Sequence, residues 1–165
     1  MAPKRPPALD RIDIKILATL QRDGRATIAK LSKLVGLSPR PCLERVRRLE
    51  AAGIIGGYQA LLRLERLSRP VTVFAAITLT AHRRQDRLER RLAQIEEAVE
   101  SWQVSGDVDY LVRFVCADLG VYEALTNDLV EDETLGVARI VSHITLRPVR
   151  RFEGYPASLL KPKSG

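Results

Sequence analysis

A chain of 165 residues with 45 % hydrophobic content is long enough to bury a core and to hold one domain or two small ones. Its formal charge of +7 is unevenly placed: residues 1–57 carry 12 Lys or Arg against 5 Asp or Glu, and residues 58–165 carry 15 against 15. Such a split describes a polyanion-binding module followed by a neutral one. The sequence shows no apolar run of about 18 residues and no signal peptide, so a cytoplasmic protein is expected.

The chain opens with MAPKRPPA, a basic, proline-rich arm whose Lys4 and Arg5 suit phosphate. Asp10-x-x-Asp13 puts carboxylates in the first turn of a helix with Ile12, Ile16, Leu17 and Leu20 as its apolar stripe, closed at Gly24. Thr27 caps a second helix that turns Ile28, Leu31, Leu34 and Val35 inward and ends at Gly36. After a three-residue turn comes GLSPRPCLERVRRLEAAG. Here Ser38 is an N-cap, Pro39 stands at the first helical position, and Gly53 follows the last turn.

At 100° per residue, Cys42, Leu43, Val46 and Leu49 share the inner side of this third helix. Arg40, Glu44, Arg47 and Arg48 share the outer side, with Arg45 at the border. Three helices in about 45 residues, the last two joined by a tight glycine turn, make a helix-turn-helix. Arginine reads guanine edges and phosphates bidentately, so the third helix is the natural recognition helix for double-stranded DNA. Arg25, Lys30 and Lys33 suit phosphate contacts, which set register without choosing sequence. Glu44 either accepts from a cytosine or braces Arg40 and Arg48, and the arginines one turn away on both sides favour the brace.

Ile54 to Tyr58 reads as the start of a short strand, a rudimentary wing, and Gln59 to Pro70 alternates and then breaks at proline as a linker strand. Val71 to Leu79 is a strand, Arg84 to Ala98 a helix, Val99 to Ser105 and Tyr110 to Ala117 two strands about the turn Gly106-Asp107-Val108-Asp109. Asp118 caps a helix using Val121, Tyr122, Leu125 and Leu129, and Arg139 to Val149 is a last strand broken near Pro148. The order βαββαβ is ferredoxin-like. The expected fold is therefore α+β: a three-helix, winged helix-turn-helix over 1–57, a linker strand over 58–70, a ferredoxin-like domain over 71–150 and a tail over 151–165. Two helices cover one sheet face, so the other calls for a second copy.

Cys42 and Cys116 are isolated in apolar patterns and read as reduced core residues, with no metal pair. With two histidines far apart and no nucleophile–base grouping, metal cluster or phosphate loop, no catalytic residue, metal or cofactor is expected.

Three stretches, Leu9-Asp10-Arg11-Ile12-Asp13 with Ile16-Leu17, Gly36 to Glu50, and Val104-Ser-Gly-Asp-Val-Asp-Tyr-Leu111, resemble the Lrp/AsnC (feast/famine, leucine-responsive) transcription regulators over residues 9 to about 156. The resemblance implies a homodimer that assembles further, often to an octamer, on the nucleoid, and binds amino acids or related metabolites between dimers. It implies Ser38, Arg40, Arg45 and Arg48 as the DNA-facing set, and an effector crevice bordered by Gly106, Asp107, Asp109 and Tyr110. Ser142 stands where family members usually carry threonine, keeping the hydroxyl and losing the methyl. The expected function is a sequence-specific DNA-binding regulator that answers to a small amino-acid-like effector. The alternative is a DNA-organising protein without a ligand, and no membrane partner is expected.

Overall fold

The computed structural model describes residues 8–80 and 85–160; the basic arm with Lys4 and Arg5, and the expected helix start at Arg84, lie outside them. The chain divides into two compact units, one of residues up to 61 together with those from 150 onward, the other of residues 62–149.

In the first unit, α1 (Arg11–Arg22), α2 (Ile28–Val35) and α3 (Pro39–Ala51) pack about Ile16, Leu17, Leu31, Cys42, Val46 and Leu49. Asp10 caps α1 by accepting from the Ile12 and Asp13 amides, while Asp13 reaches back to the Asp10 amide, a reciprocal capping box. Thr27 caps α2 through the Lys30 amide, and Gly36 ends it at φ +71. A left-handed residue is needed there to turn the chain between the two helices. Gly53, at φ +68, closes α3 in a Schellman arrangement: its amide donates to Glu50 and the Ile54 amide to Leu49.

Several expectations in this unit are corrected. Ser38 has the extended backbone of an N-cap, but its hydroxyl makes no capping bond. Leu34 faces outward, 55 % exposed, and Ser32 is buried instead, its hydroxyl satisfied by the Ala29 carbonyl. No wing strand forms over Ile54–Tyr58, because the Ile54 and Ile55 amides both go back to the Leu49 carbonyl and both side chains pack on the helical core. The linker at 58–70 is likewise not a strand; it contains one 3-10 turn, Leu64–Arg66. The tail, unassigned from sequence beyond its basic character, folds onto α1. Gln21 Oε1 accepts from the Tyr155 amide at 2.6 Å, Leu160 of the 3-10 turn Ala157–Leu160 packs on the helical core, and Phe152 and Tyr155 meet edge to face.

In the second unit β1 (Val71–Leu79), α4 (Gln85–Leu92), β2 (Ala98–Gln103), β3 (Tyr110–Cys116), α5 (Leu119–Glu131) and β4 (Val137–Ile144) make an antiparallel sheet of order β2-β3-β1-β4. The βαββαβ order is as expected. The α4 helix stops at Leu92, short of the expected Ala98, and Ala98 instead opens β2, with Val99 44 % exposed beside it. β4 ends at Ile144, four residues before Pro148. One sheet face, with Val73, Ala75, Ile77, Tyr110, Val112 and Phe114, is sealed by Leu88, Leu92, Tyr122 and Leu129 of the helices. Strand pairing puts Trp102, Leu111, Ala76 and Val141 in one row of the opposite face, and Glu100, Arg113, Phe74 and His143 in the next. Phe74, Trp102 and Leu111 are 40 %, 45 % and 37 % exposed on it.

Candidate nucleic-acid interface and effector crevice

The α3 helix has a dry back and a cationic front. Cys42, Val46 and Leu49 are buried against α1 and α2, and burial pushes the Cys42 thiol above its ordinary value, so it remains a neutral core group. On the front, Arg40 and Glu44 side chains are 90 % and 65 % exposed with Arg40 Nε 3.5 Å from Glu44 Oε1, one helical turn apart. Arg47 is exposed beside them. Pairs of this kind contribute little to stability in water, about 0.3–0.5 kcal/mol, so their presence on the front is no necessity of folding.

Arg45 and Arg48 differ from Arg40 and Arg47. Arg45 Nη1 donates to Asp10 Oδ2 at 2.6 Å and to Asp13 Oδ1 at 2.9 Å; Arg48 Nη2 donates to Asp13 Oδ2 at 2.6 Å. Asp13 is fully buried, whereas the Arg45 and Arg48 side chains are 26 % and 47 % exposed. The Asp10 carboxyl is held below its ordinary value, first by the Asp13 amide and then by the Arg45 guanidinium. A carboxylate taken out of water is costly unless charged donors meet both oxygens, and here they do. From the sequence alone Asp13 is legible only as a first-turn carboxylate. The signal that was there is a matched spacing: Asp10-x-x-Asp13 on α1 faces Arg45-x-x-Arg48 on α3.

Arg25 and Lys33 stand exposed at the loop before α2 and at its last turn. Lys30 is tied to Asp23 at 2.6 Å, a pair with both side chains well exposed.

The five residues expected around an effector are only partly together. Gly106, at φ +117, and Asp107 are exposed on the β2–β3 turn. Asp109 points back from it, with Oδ2 accepting from the Leu79 amide at 2.7 Å and its own amide donating to Ile77. Tyr110 starts β3, 2 % exposed, and its hydroxyl donates to Glu89 Oε1 at 2.7 Å. Burial and then that carboxylate push the Tyr110 phenol well above its ordinary value. The pair borders a cavity of about 350 Å³ under the β2 edge, lined also by Leu92, Ala93, Glu100 and Gln103.

Ser142 lies apart, on β4, hydrogen-bonded to the Tyr122 hydroxyl. Its row pairs with Ala75 and the Tyr110 row with Ile77, a separation of about 12 Å by strand spacing and rise. Burial raises the Tyr122 phenol, with the Ser142 hydrogen bond opposing. Neither Glu89 nor Tyr122 was singled out as a partner from sequence, since each pairing joins residues about twenty apart.

A recognition helix with an arginine front, in a unit of its own, joined to a βαββαβ unit, defines a two-part DNA-binding regulator. Residues 9–55 match the winged helix-turn-helix DNA-binding family and residues 72–154 the Lrp/AsnC ligand binding domain. The leucine-responsive regulatory protein of Haemophilus influenzae is 48 % identical over 127 residues, 76 % of each chain. Transcriptional regulatory protein DoeX of Halomonas elongata is 42 % identical over 146 residues, 87 % of this chain and 91 % of its own. Among solved structures, a transcriptional regulator of Neisseria meningitidis in complex with L-Met superposes with a TM-score of 0.86 at 30 % identity, covering 93 % of this chain and 99 % of that one. An AsnC family regulator of Agrobacterium tumefaciens superposes at 0.83 with 32 % identity, covering 92 % and 99 %.

The chain belongs to the Lrp/AsnC family of DNA-binding transcription regulators, with an N-terminal helix-turn-helix and a C-terminal ligand-binding domain. Among the described residues no helix is long and apolar enough to cross a membrane.

Proposed function

We propose that this chain is a sequence-specific regulator that reads DNA with the front of α3 and whose affinity or assembly is set by an amino-acid-like effector on its second unit. The observation that carries the first half is the exposed arginine front of α3, concentrated in the unit that holds the whole excess of positive charge. Arg40, Arg47 and Arg48 face base edges, with Glu44 as the brace of Arg40. Arg45, the least exposed, holds the helix to α1. Ser38, Arg25 and Lys33 supply phosphate contacts, which position the helix and make affinity fall steeply with salt.

The working unit is a homodimer. Phe74, Trp102 and Leu111 lie in adjacent rows on the face that neither helix covers, and a second copy removes them from water. A symmetric dimer places two recognition helices in successive major grooves, about 34–36 Å apart, on a near-palindromic site. Further assembly, to an octamer or a similar closed ring, brings the turns carrying Gly106 and Asp107 against neighbouring dimers.

For the effector, Gly106 and Asp107 on the exposed turn are the groups open to a ligand, and the L-Met complex of the Neisseria regulator favours an amino acid. Asp109, Tyr110 and Ser142 already hold partners within the unit, to the Leu79 amide, Glu89 and Tyr122. That observation favours a second reading, a DNA-organising protein that needs no ligand. Calorimetry and sedimentation with each of the twenty amino acids separate the two. Heat of binding with a change in oligomer size supports the effector-responsive regulator; no heat and no change in size for all twenty supports the ligand-free reading.

A further inference from the structure

Asp13 is sealed from water and cannot touch a duplex, yet both of its carboxylate oxygens are taken by arginines of the recognition helix. Oδ1 accepts from Arg45, and Oδ2 accepts from Arg48 and from the Asp10 amide. We infer that Asp13 is a specificity-determining positioning residue, which fixes the Arg48 guanidinium at one angle to the groove so that choice among DNA sequences depends on a carboxylate behind the helix. The inference rests on the DNA-binding reading above.

The physical argument has three parts. A guanidinium carries five donors in a rigid planar fork, so one strong bond at Nη2 constrains the plane of all the others. Arg48 keeps 47 % of its side chain exposed, which leaves the rest of that fork presented outward. Reading a guanine requires two of those donors at O6 and N7 in a fixed geometry. An arginine free to swing loses rotamer freedom when it docks and pairs about as well with a phosphate as with a base. For Arg48 that freedom is already lost in the unbound protein. Arg45 completes the device, since its Nη1 bridges Asp10 and Asp13 and stops the Asp13 carboxylate from turning. By contrast Arg40 is 90 % exposed and, among the described residues, tethered by Glu44 alone, so it adapts to whatever it meets.

The test compares dissociation constants, by fluorescence anisotropy, for a duplex selected from a random pool by the wild-type protein and for a scrambled duplex of the same composition. The variants are Asp13→Asn, Arg48→Lys, Arg48→Ala and Asp13→Asn with Arg48→Ala. Asn preserves the shape of Asp13 and removes its charge; Lys preserves the charge of Arg48 and removes the fork. Asp13→Asn is expected to lower the ratio of scrambled to selected dissociation constants about tenfold, the loss of one well-made base contact, with the scrambled constant and the salt slope nearly unchanged.

Arg48→Lys gives the same loss, and Asp13→Asn adds nothing once Arg48 is Ala. A folded Asp13→Asn protein with full discrimination overturns the inference. An equal drop in the Arg48→Ala background also overturns it, because Asp13 then acts other than through Arg48. Should Asp13→Asn not fold, Arg48→Lys decides: retained discrimination refutes the positioning role and lost discrimination sustains it. A wild-type protein that selects no duplex from the pool refutes the DNA reading itself, a different result from either.

Discussion

Arg45 Nη1 and Asp10 Oδ2 lie 2.6 Å apart across 35 residues of chain, and the same Asp10 carboxylate caps α1 through Oδ1. One carboxylate thus ends the amide ladder of the first helix and anchors the recognition helix. Its pKa is depressed below the ordinary 3.8, so its contribution is complete above that value and is lost as pH falls through the depressed one. Asp10→Asn, which still caps, should flatten the acid limb of the stability curve below about pH 4. Asp10→Ala, which does not cap, should cost about 0.5–2 kcal/mol at neutral pH. Urea unfolding followed by circular dichroism from pH 2 to 7 checks both.

In the second unit the hydroxyl of the buried Tyr110 donates to Glu89, an exposed residue of α4. Tyr110→Phe removes one hydrogen bond to a carboxylate that water can reach, a loss of about 0.5–1.5 kcal/mol. The phenol is raised above its ordinary 10, so its contribution is complete below pH 10 and declines as pH rises beyond it. Wild type should lose stability above pH 10 more steeply than the Phe variant in chemical denaturation.

Gly36 turns the chain between α2 and α3 at φ +71, and a Cβ there meets nothing within 4 Å. Gly36→Ala therefore tests backbone strain alone, and about 1–2 kcal/mol of destabilisation is expected in urea melts.

Trp102 is the one tryptophan, and it shares a sheet row with Leu111. If a second copy covers that row, Leu111→Asp should yield monomers in sedimentation and shift Trp102 emission to the red. Unchanged mass and emission would place the dimer contact elsewhere.

The periodicity of α1, α2 and α3 was legible because caps and apolar stripes are local. Asp10, Thr27, Gly36, Gly53 and Asp118 each act within one turn of their own chain. What failed was decided by groups far away or by backbone bonds. Ile54 and Ile55 are good strand formers, but the Leu49 carbonyl takes both amides. Leu34 fits an inward stripe by spacing, yet an eight-residue helix turns too few residues to fix its buried face, and Ser32 took the place. Asp13 was readable as a helix-start residue and not as the partner of Arg45 and Arg48, since those contacts close loops of 32 and 35 residues. The tail has no period at all, and its contact with Gln21 spans 134 residues. Among the site residues, the α3 front followed from helical phase alone. Side-chain pairings such as Tyr122 with Ser142 depend on strand register, which no single stretch encodes.

The central claim is that the front of α3 enters a duplex groove. The most direct measurement is anisotropy at low and physiological salt for wild type and for Arg40→Ala with Arg47→Ala, on the selected and scrambled duplexes. The account predicts that the double variant binds the selected duplex at least tenfold more weakly, with circular dichroism unchanged. Equal binding by wild type and the folded double variant on both duplexes would contradict it.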